Sequence, residues 1–184
     1  MLFLILYVFG LVLAVGAGVM AAWGDFRRLK IPNIYSLVVA VAFILAWGAD
    51  WLGHGRMFMP LSSHLISGGV VFVLTLILFA AKLLGGGDAK LMSAYALWLG
   101  ARNVSPFLFF VALAGAFLGV AALIIRRFKP FKNPKEGGWI AGLQQGGKSG
   151  IPYGLAIVSG SIVAFLLAGY LTPGHLSSFL PAGN

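Results

Sequence analysis

The segment LFLILYVFGLVLAVGAGVMAAW, residues 2–23, runs for 22 positions without a charge and leads into Gly24-Asp25-Phe26-Arg27-Arg28-Leu29-Lys30-Ile31-Pro32-Asn33. Coiled as a helix, a run of this length crosses the hydrocarbon layer of a bilayer. It lacks the basic start of a secretion signal and is longer than the apolar core of one, so it reads as a retained spanning helix. The rest of the chain is of the same kind: 60% hydrophobic, 9% charged, with a mean hydropathy of +0.99. No ordinary soluble domain is this apolar.

Working outward, five more apolar segments follow. They are Ile31 to Ala49, with Pro32 near its start, then Leu65 to Ala81, Leu91 to Ala101, Val104 to Ile125, and Ile151 to Leu171. The weakest is Leu91 to Ala101, which is only about 16 Å long as a helix and spans only if it starts near the preceding glycines or has protein around it. The expectation is an all-α membrane protein, a bundle of six transmembrane helices forming a single domain over residues 1–184. No appended soluble domain and no strong internal repeat is expected. The mixed stretch from Gly48 to Ser63 carries Trp51, Met57, Phe58 and Met59, which suits either the membrane interface or a plain connection. Arg126 to Gly150 reads as an exposed loop, and Thr172 to Asn184 as a flexible tail.

The formal charge of +9 does not point to nucleic acid here, because in a membrane protein Lys and Arg in short loops report orientation. With six helices, one side holds Arg27, Arg28, Lys30, Lys82, Lys90, Arg126, Arg127, Lys129, Lys132, Lys135 and Lys148, and the other holds Arg56 and Arg102. The first side is then cytoplasmic, and both termini lie on the extracytoplasmic side. The chain has no cysteine, which excludes disulfides, thiolate catalysis and cysteine zinc sites. His54, His64 and His175 do not cluster at ligand spacing, so no metal site is expected.

Of the four acidic residues, Asp25 and Asp88 stand at the ends of hydrophobic segments, on the same predicted face. A carboxylate beside hydrocarbon is costly and therefore a functional candidate. Two of them can share a proton and activate water. Each also has a plainer reading: Asp25 as an interfacial acid paired with Arg27 and Arg28, Asp88 as a helix N-cap. Gly85, Gly86 and Gly87 strip side chains from the backbone beside Asp88 and leave room for a peptide to approach. Pro32-Asn33 and Pro152-Tyr153-Gly154 are helix-start signals, with Tyr153 suited to an interface anchor. Gly142 to Ser149 fits the phosphate-loop pattern G-x-x-x-x-G-K-[ST] letter for letter. A working phosphate loop needs a preceding strand and a soluble α/β domain, which these surroundings do not offer.

Taken in order, these segments are similar to the motifs of type IV prepilin peptidases, the GxGD membrane aspartic proteases. Asp25 with Arg28 and Ile31-Pro32-Asn33 resembles the first acidic motif of that family. Gly85-Gly86-Gly87-Asp88-Ala89-Lys90-Leu91 resembles the second. Pro152-Tyr153-Gly154-Leu155-Ala156-Ile157 resembles the late PYGPAI-like segment, with Leu155 where proline is frequent. The chain looks like the short Flp/Tad-type form. The resemblance implies catalytic roles for Asp25 and Asp88, and substrate-binding or site-shaping roles for Gly85, Gly86, Gly87, Lys90, Pro32, Asn33, Pro152, Tyr153 and Gly154. It implies leader cleavage from a small pilin precursor at the cytoplasmic face of the bacterial inner membrane, without methylation of the new N-terminus and without metal or organic cofactor.

One carboxylate would act as general base on water while the other, protonated, polarises the scissile carbonyl. Two close carboxyls do not both ionise easily, so their protonations separate. Helix dipoles favour Asp88 as base and Asp25 as acid, an assignment Arg27 and Arg28 would oppose if they faced Asp25. The basic loop from Arg126 to Lys148 suits anionic lipid headgroups. A small proton- or cation-coupled transporter, or a scaffold without chemistry, would use the same two acids differently. The sequence does not specify the pilin, the cleaved bond or the oligomeric state.

Overall fold

The computed structural model describes residues 1–53, 57–130, 139–144, 150–170, 172–177 and 179. Helices α1 (Leu2–Arg28), α2 (Asn33–Leu52), α3 (Leu61–Ala80) and α4 (Gly86–Phe128) are long. Helices α5 (Trp139–Gln144), α6 (Tyr153–Leu167) and α7 (Pro173–Ser177) are short.

Close packing begins with small residues on α1. Its buried face is Tyr7, Gly10, Leu11, Ala14, Gly18, Ala21, Ala22 and Asp25, a stripe that recurs every three or four positions. A Cβ placed on Gly10 would lie 2.8 Å from the Ala42 carbonyl oxygen of α2, so the two backbones meet where only glycine fits. The space beside Gly18 is taken by the hydroxyl of Tyr95, which donates to the Ala14 carbonyl at 2.9 Å. Asp25 lies on this stripe and is carried inward with it.

The first arm of α4 is the centre of the bundle. Leu91, Met92, Ala94, Tyr95, Ala96, Trp98 and Leu99 are all buried, which is how a segment too short to span by itself is accommodated. The arm ends at Gly100, whose φ of 60° and ψ of 179° break the helix. The rings of Tyr95 and Phe107 are 6.5 Å apart, whereas a straight helix would hold them about 18 Å apart. The chain therefore doubles back at Gly100, and the second arm returns beside α6, where a Cβ on Gly160 would lie 2.8 Å from the Val111 nitrogen.

The expectation of six spanning helices is corrected by these elements. Among the described residues four helices, α1 to α4, are long and apolar enough to cross a membrane. The expected segments Leu91 to Ala101 and Val104 to Ile125 form as the two helical arms of α4, which meet at the break at Gly100. The polar Arg102-Asn103 pair reads as a loop, but the reversal is made by one residue, Gly100. The expected sixth helix forms as α6 with only 15 residues. Four spans, like six, are an even number, so the change of count does not bear on which side the termini lie.

The remaining differences lie in the connections. Helix α2 continues through Trp51, and α3 starts at Leu61. Phe58, between them, turns inward onto Tyr7, Phe43, His64, Trp98 and Tyr170. The tail is partly anchored: α7 forms there, and Phe179 stacks on Tyr7 at 5.4 Å. Within the expected loop from Arg126 to Gly150, α4 extends to Phe128, and α5 buries Trp139 and Leu143 against Ala122 and Phe26. Gly142 to Gln144 of the phosphate-loop look-alike belongs to α5; the rest of it, like Arg56, Lys132, Lys135 and the side chain of His175, lies outside the described residues.

Candidate active site

Three chain segments meet at one end of the bundle. Helix α1 stops at Leu29, whose left-handed conformation (φ 52°) lets its N–H bond back to the Asp25 carbonyl oxygen at 2.8 Å. Lys30, Ile31 and Pro32 then turn the chain into α2, with Pro32 as the extended residue before the helix. Opposite this turn, Gly85 precedes α4 and donates its N–H to Asp88 Oδ2 at 3.2 Å. Asp88 is thus the third residue of α4 in a capping arrangement with Gly85, and not the N-cap itself. Its Oδ1 is buried and has no hydrogen-bond partner among the described residues.

Asp25 is 5% exposed. Its Oδ2 accepts the Gly154 N–H at 2.8 Å, at the start of α6. The reading of Asp25 as a surface acid paired with Arg27 and Arg28 is not what forms: the Arg27 guanidinium lies over the Trp23 ring, 4.5 Å from its centroid. The helix-dipole argument for the acid and base roles also loses its force. Asp88 is near the N-terminus of α4, but the N-terminus of α6 faces Asp25.

Asp25 and Asp88 line one cleft of about 410 Å³, with Leu29, Lys30, Ile31, Pro32, Asn33, Gly85, Gly86 and Gly87. Lys90 reaches across to the cleft's Asn33 and donates to its Oδ1 at 3.1 Å. Pro152 and Tyr153 are not cleft residues. Pro152 is fully buried, and Tyr153 packs over Gly115 of α4.

Some of the room left by the glycines is used by the protein itself. A Cβ on Gly87 would fall 2.8 Å from the Ile31 carbonyl oxygen, and one on Gly154 would fall 3.0 Å from Asp25 Cβ and 3.1 Å from Ile31 Cδ1. Ile31 is therefore the packing piece between the glycine run and the start of α6. Its signal in the sequence was an apolar residue between a basic run and a helix-starting proline. Sequence reasoning also passed over Asp50, a buried acid on α2, because it falls in the mixed stretch from Gly48 to Ser63 and matches no motif. Among the described residues no three His, Cys, Asp or Glu side chains are grouped to hold a metal ion.

Long apolar helices make this a multi-pass membrane protein, with two acidic residues lining one cleft at an end of the bundle. Residues 7–120 match the type IV leader peptidase family. The chain is 26% identical over 153 residues to the prepilin leader peptidase/N-methyltransferase of Bacillus subtilis (strain 168), an alignment covering 80% of this chain and 51% of that relative. The chain thus spans about half the length of this relative. No solved structure matches it. The chain belongs to the type IV leader peptidase family.

Proposed function

We propose that this chain is an aspartic endopeptidase that removes the short basic leader from type IV prepilins of the Flp type, acting as one membrane-embedded domain. The observation that carries the reading is that Asp25 and Asp88, far apart in sequence, line the same cleft. Family membership supports a peptidase role. The cytoplasmic face of the bacterial inner membrane is proposed for this cleft from its basic surroundings: Arg27, Arg28, Lys30 and Lys90 belong to the segments that form it, and Lys or Arg excess marks the cytoplasmic side.

In the proposed reaction the ionised carboxylate takes a proton from water as the water oxygen bonds to the scissile carbonyl carbon. The other carboxyl gives its proton to the carbonyl oxygen, forming a gem-diol. The C–N bond then breaks, a diol proton returns to a carboxyl, and the leaving nitrogen takes a proton from the pair. The leader departs with a new carboxylate and the pilin with a new amine. The unpartnered Asp88 Oδ1 suits contact with the water or the carbonyl. Both acids have a helix N-terminus nearby, so dipoles do not choose the base; pH–rate profiles of Asp25→Glu and Asp88→Glu do. The proposal is limited to cleavage, which two carboxyls can carry, and does not include methyl transfer.

The test mixes the purified full chain in detergent with a Flp-type prepilin and follows leader release. Asp25→Asn and Asp88→Asn each abolish cutting while the protein stays folded. Continued cutting by either variant overturns the paired-aspartate mechanism. Proton or cation flux in vesicles without any cleavage would favour the transporter reading. Labelled methyl appearing on the new pilin N-terminus from an added methyl donor would overturn the restriction to cleavage.

A further inference from the structure

A second cleft, of about 360 Å³, shares Lys30 and Pro32 with the first. Its basic lining residues are Arg27, Arg28 and Lys30, and Met20, Trp23 and Tyr35 give it apolar and aromatic walls. No acidic side chain lines it. None of the three cations is in an ion pair among the described residues, and the nearby Asp25 carboxylate is engaged by Gly154. The Arg27 guanidinium lies over the Trp23 ring.

We propose that this cleft binds the headgroup phosphate of an anionic phospholipid. Arg27, Arg28 and Lys30 would hold the phosphate, and Met20 and Trp23 would form the wall for the first part of an acyl chain. Two features together select an amphipathic anion. The cations lack a counter-charge, and bidentate arginine suits phosphate oxygens. Further along α1, the exposed side chains Phe9, Val12 and Val19 continue an outward apolar face from the cleft into the hydrocarbon. A free phosphate would use the cations and leave the apolar wall unused. Trp23 and Tyr35 are residue types enriched at the level where headgroups meet hydrocarbon.

The placement matters because Lys30 and Pro32 line both clefts. A headgroup held here bears on the turn whose Ile31 packs beside Gly87 and Gly154. The site is independent of the proposed peptidase activity and is tested by binding alone.

The full chain is reconstituted in nanodiscs of dioleoylphosphatidylcholine with or without dioleoylphosphatidylglycerol, released into mild detergent, and weighed by native mass spectrometry. The wild type retains phosphatidylglycerol and not phosphatidylcholine. The Arg27→Gln/Arg28→Gln/Lys30→Gln variant retains at least roughly tenfold less. Arg102→Gln, just past Gly100 in α4, retains it fully. Equal retention by the triple variant overturns the proposal, as does equal loss in the Arg102 variant. Displacement of the lipid by millimolar inorganic phosphate alone would mean a free-phosphate site and overturn the lipid assignment. Should the triple variant fail to fold, Arg28→Gln alone carries the test, with an expected loss of about fivefold and unchanged retention as the overturning result.

Discussion

Asp25 and Asp50 sit on successive helices in matching circumstances, and the protein treats them differently. Each lies on the packing face of its helix, and they are 5% and 4% exposed. Around Asp50 the chain closes. The Met57 and Phe58 N–H groups meet Oδ1 at 3.4 Å and Oδ2 at 3.2 Å, and the Phe58 ring joins an aromatic cluster with Tyr7, Trp98 and Tyr170. The hydroxyls of that cluster are bonded too: Tyr7 donates to the Tyr170 carbonyl and Tyr170 to that of Trp98. Around Asp25 the chain opens. The Gly154 N–H holds one oxygen, and the residue lines a cleft with a second acid. Burial alone therefore does not separate a structural acid from a functional one. Asp50 has both oxygens held by backbone; Asp25, for which a catalytic role is proposed, shares an opening with a second acid.

The sharpest way to break this contrast is to neutralise each acid in turn. Asp25→Asn and Asp88→Asn are expected to lower the leader-cleavage rate roughly 10²–10⁴-fold with little change in melting midpoint. Asp50→Ala is expected to do the reverse. It strips the acceptors from two backbone N–H groups at a cost of the order of 1–3 kcal/mol, while cleavage per folded molecule stays at the wild-type level. Thermal melting in detergent beside the cleavage assay reads both quantities. If Asp50→Ala abolished cleavage without loss of stability, the two ends would not differ as argued.

Next in size are the glycines that let the open end assemble. Gly87→Ala drives a Cβ toward the Ile31 backbone at 2.8 Å, where no side-chain rotation relieves the contact. Gly154→Ala meets Asp25 Cβ at 3.0 Å and pushes the carboxylate from its N–H. Displacements of this kind cost up to about 10²-fold in rate, so both variants are expected to lose cleavage by roughly tenfold or more, Gly87→Ala the more. At Gly69, where a Cβ meets nothing within 4 Å, alanine is expected to leave the rate unchanged.

How much of this was legible beforehand follows from what kind of signal each part left. Helix α1 was clear from its uncharged run, and the motif around Asp25, Gly85–Asp88 and Pro152–Gly154 named the segments that meet. What the sequence hid was how they meet. The reversal at Gly100 is the work of one backbone conformation, and the neighbouring Arg102-Asn103 pair mimics an ordinary loop. The Gly154–Asp25 bond joins residues with no local relation in sequence, so no periodicity predicts it. Asp50 was passed over because it follows the apolar run that ends at Ala49 and forms no motif. Its place in register with Val39, Phe43 and Ala46 on the buried face of α2 was the available sign that it points inward.

The smallest expected effect tests how the open end is held together. Lys90 projects from α4 and donates to Asn33 Oδ1 at 3.1 Å, tying the start of α2 to the helix that carries Asp88. Lys90 is exposed, so water competes for both partners, and the bond is worth far less than the contacts around Asp25. Lys90→Met is expected to slow cleavage by only about twofold to fivefold. If the bond positions Asn33 and the adjoining turn, the loss falls in kcat with KM nearly constant, Asn33→Ala reproduces it, and adding Lys90→Met to Asn33→Ala changes nothing further. A loss confined to KM in Lys90→Met that Asn33→Ala does not share would assign Lys90 to contact with the substrate instead. Either outcome sharpens the contrast: at the closed end Asp50 fastens the chain through backbone N–H groups, and at the cleft Lys90 and Asn33 make a cross-link between side chains.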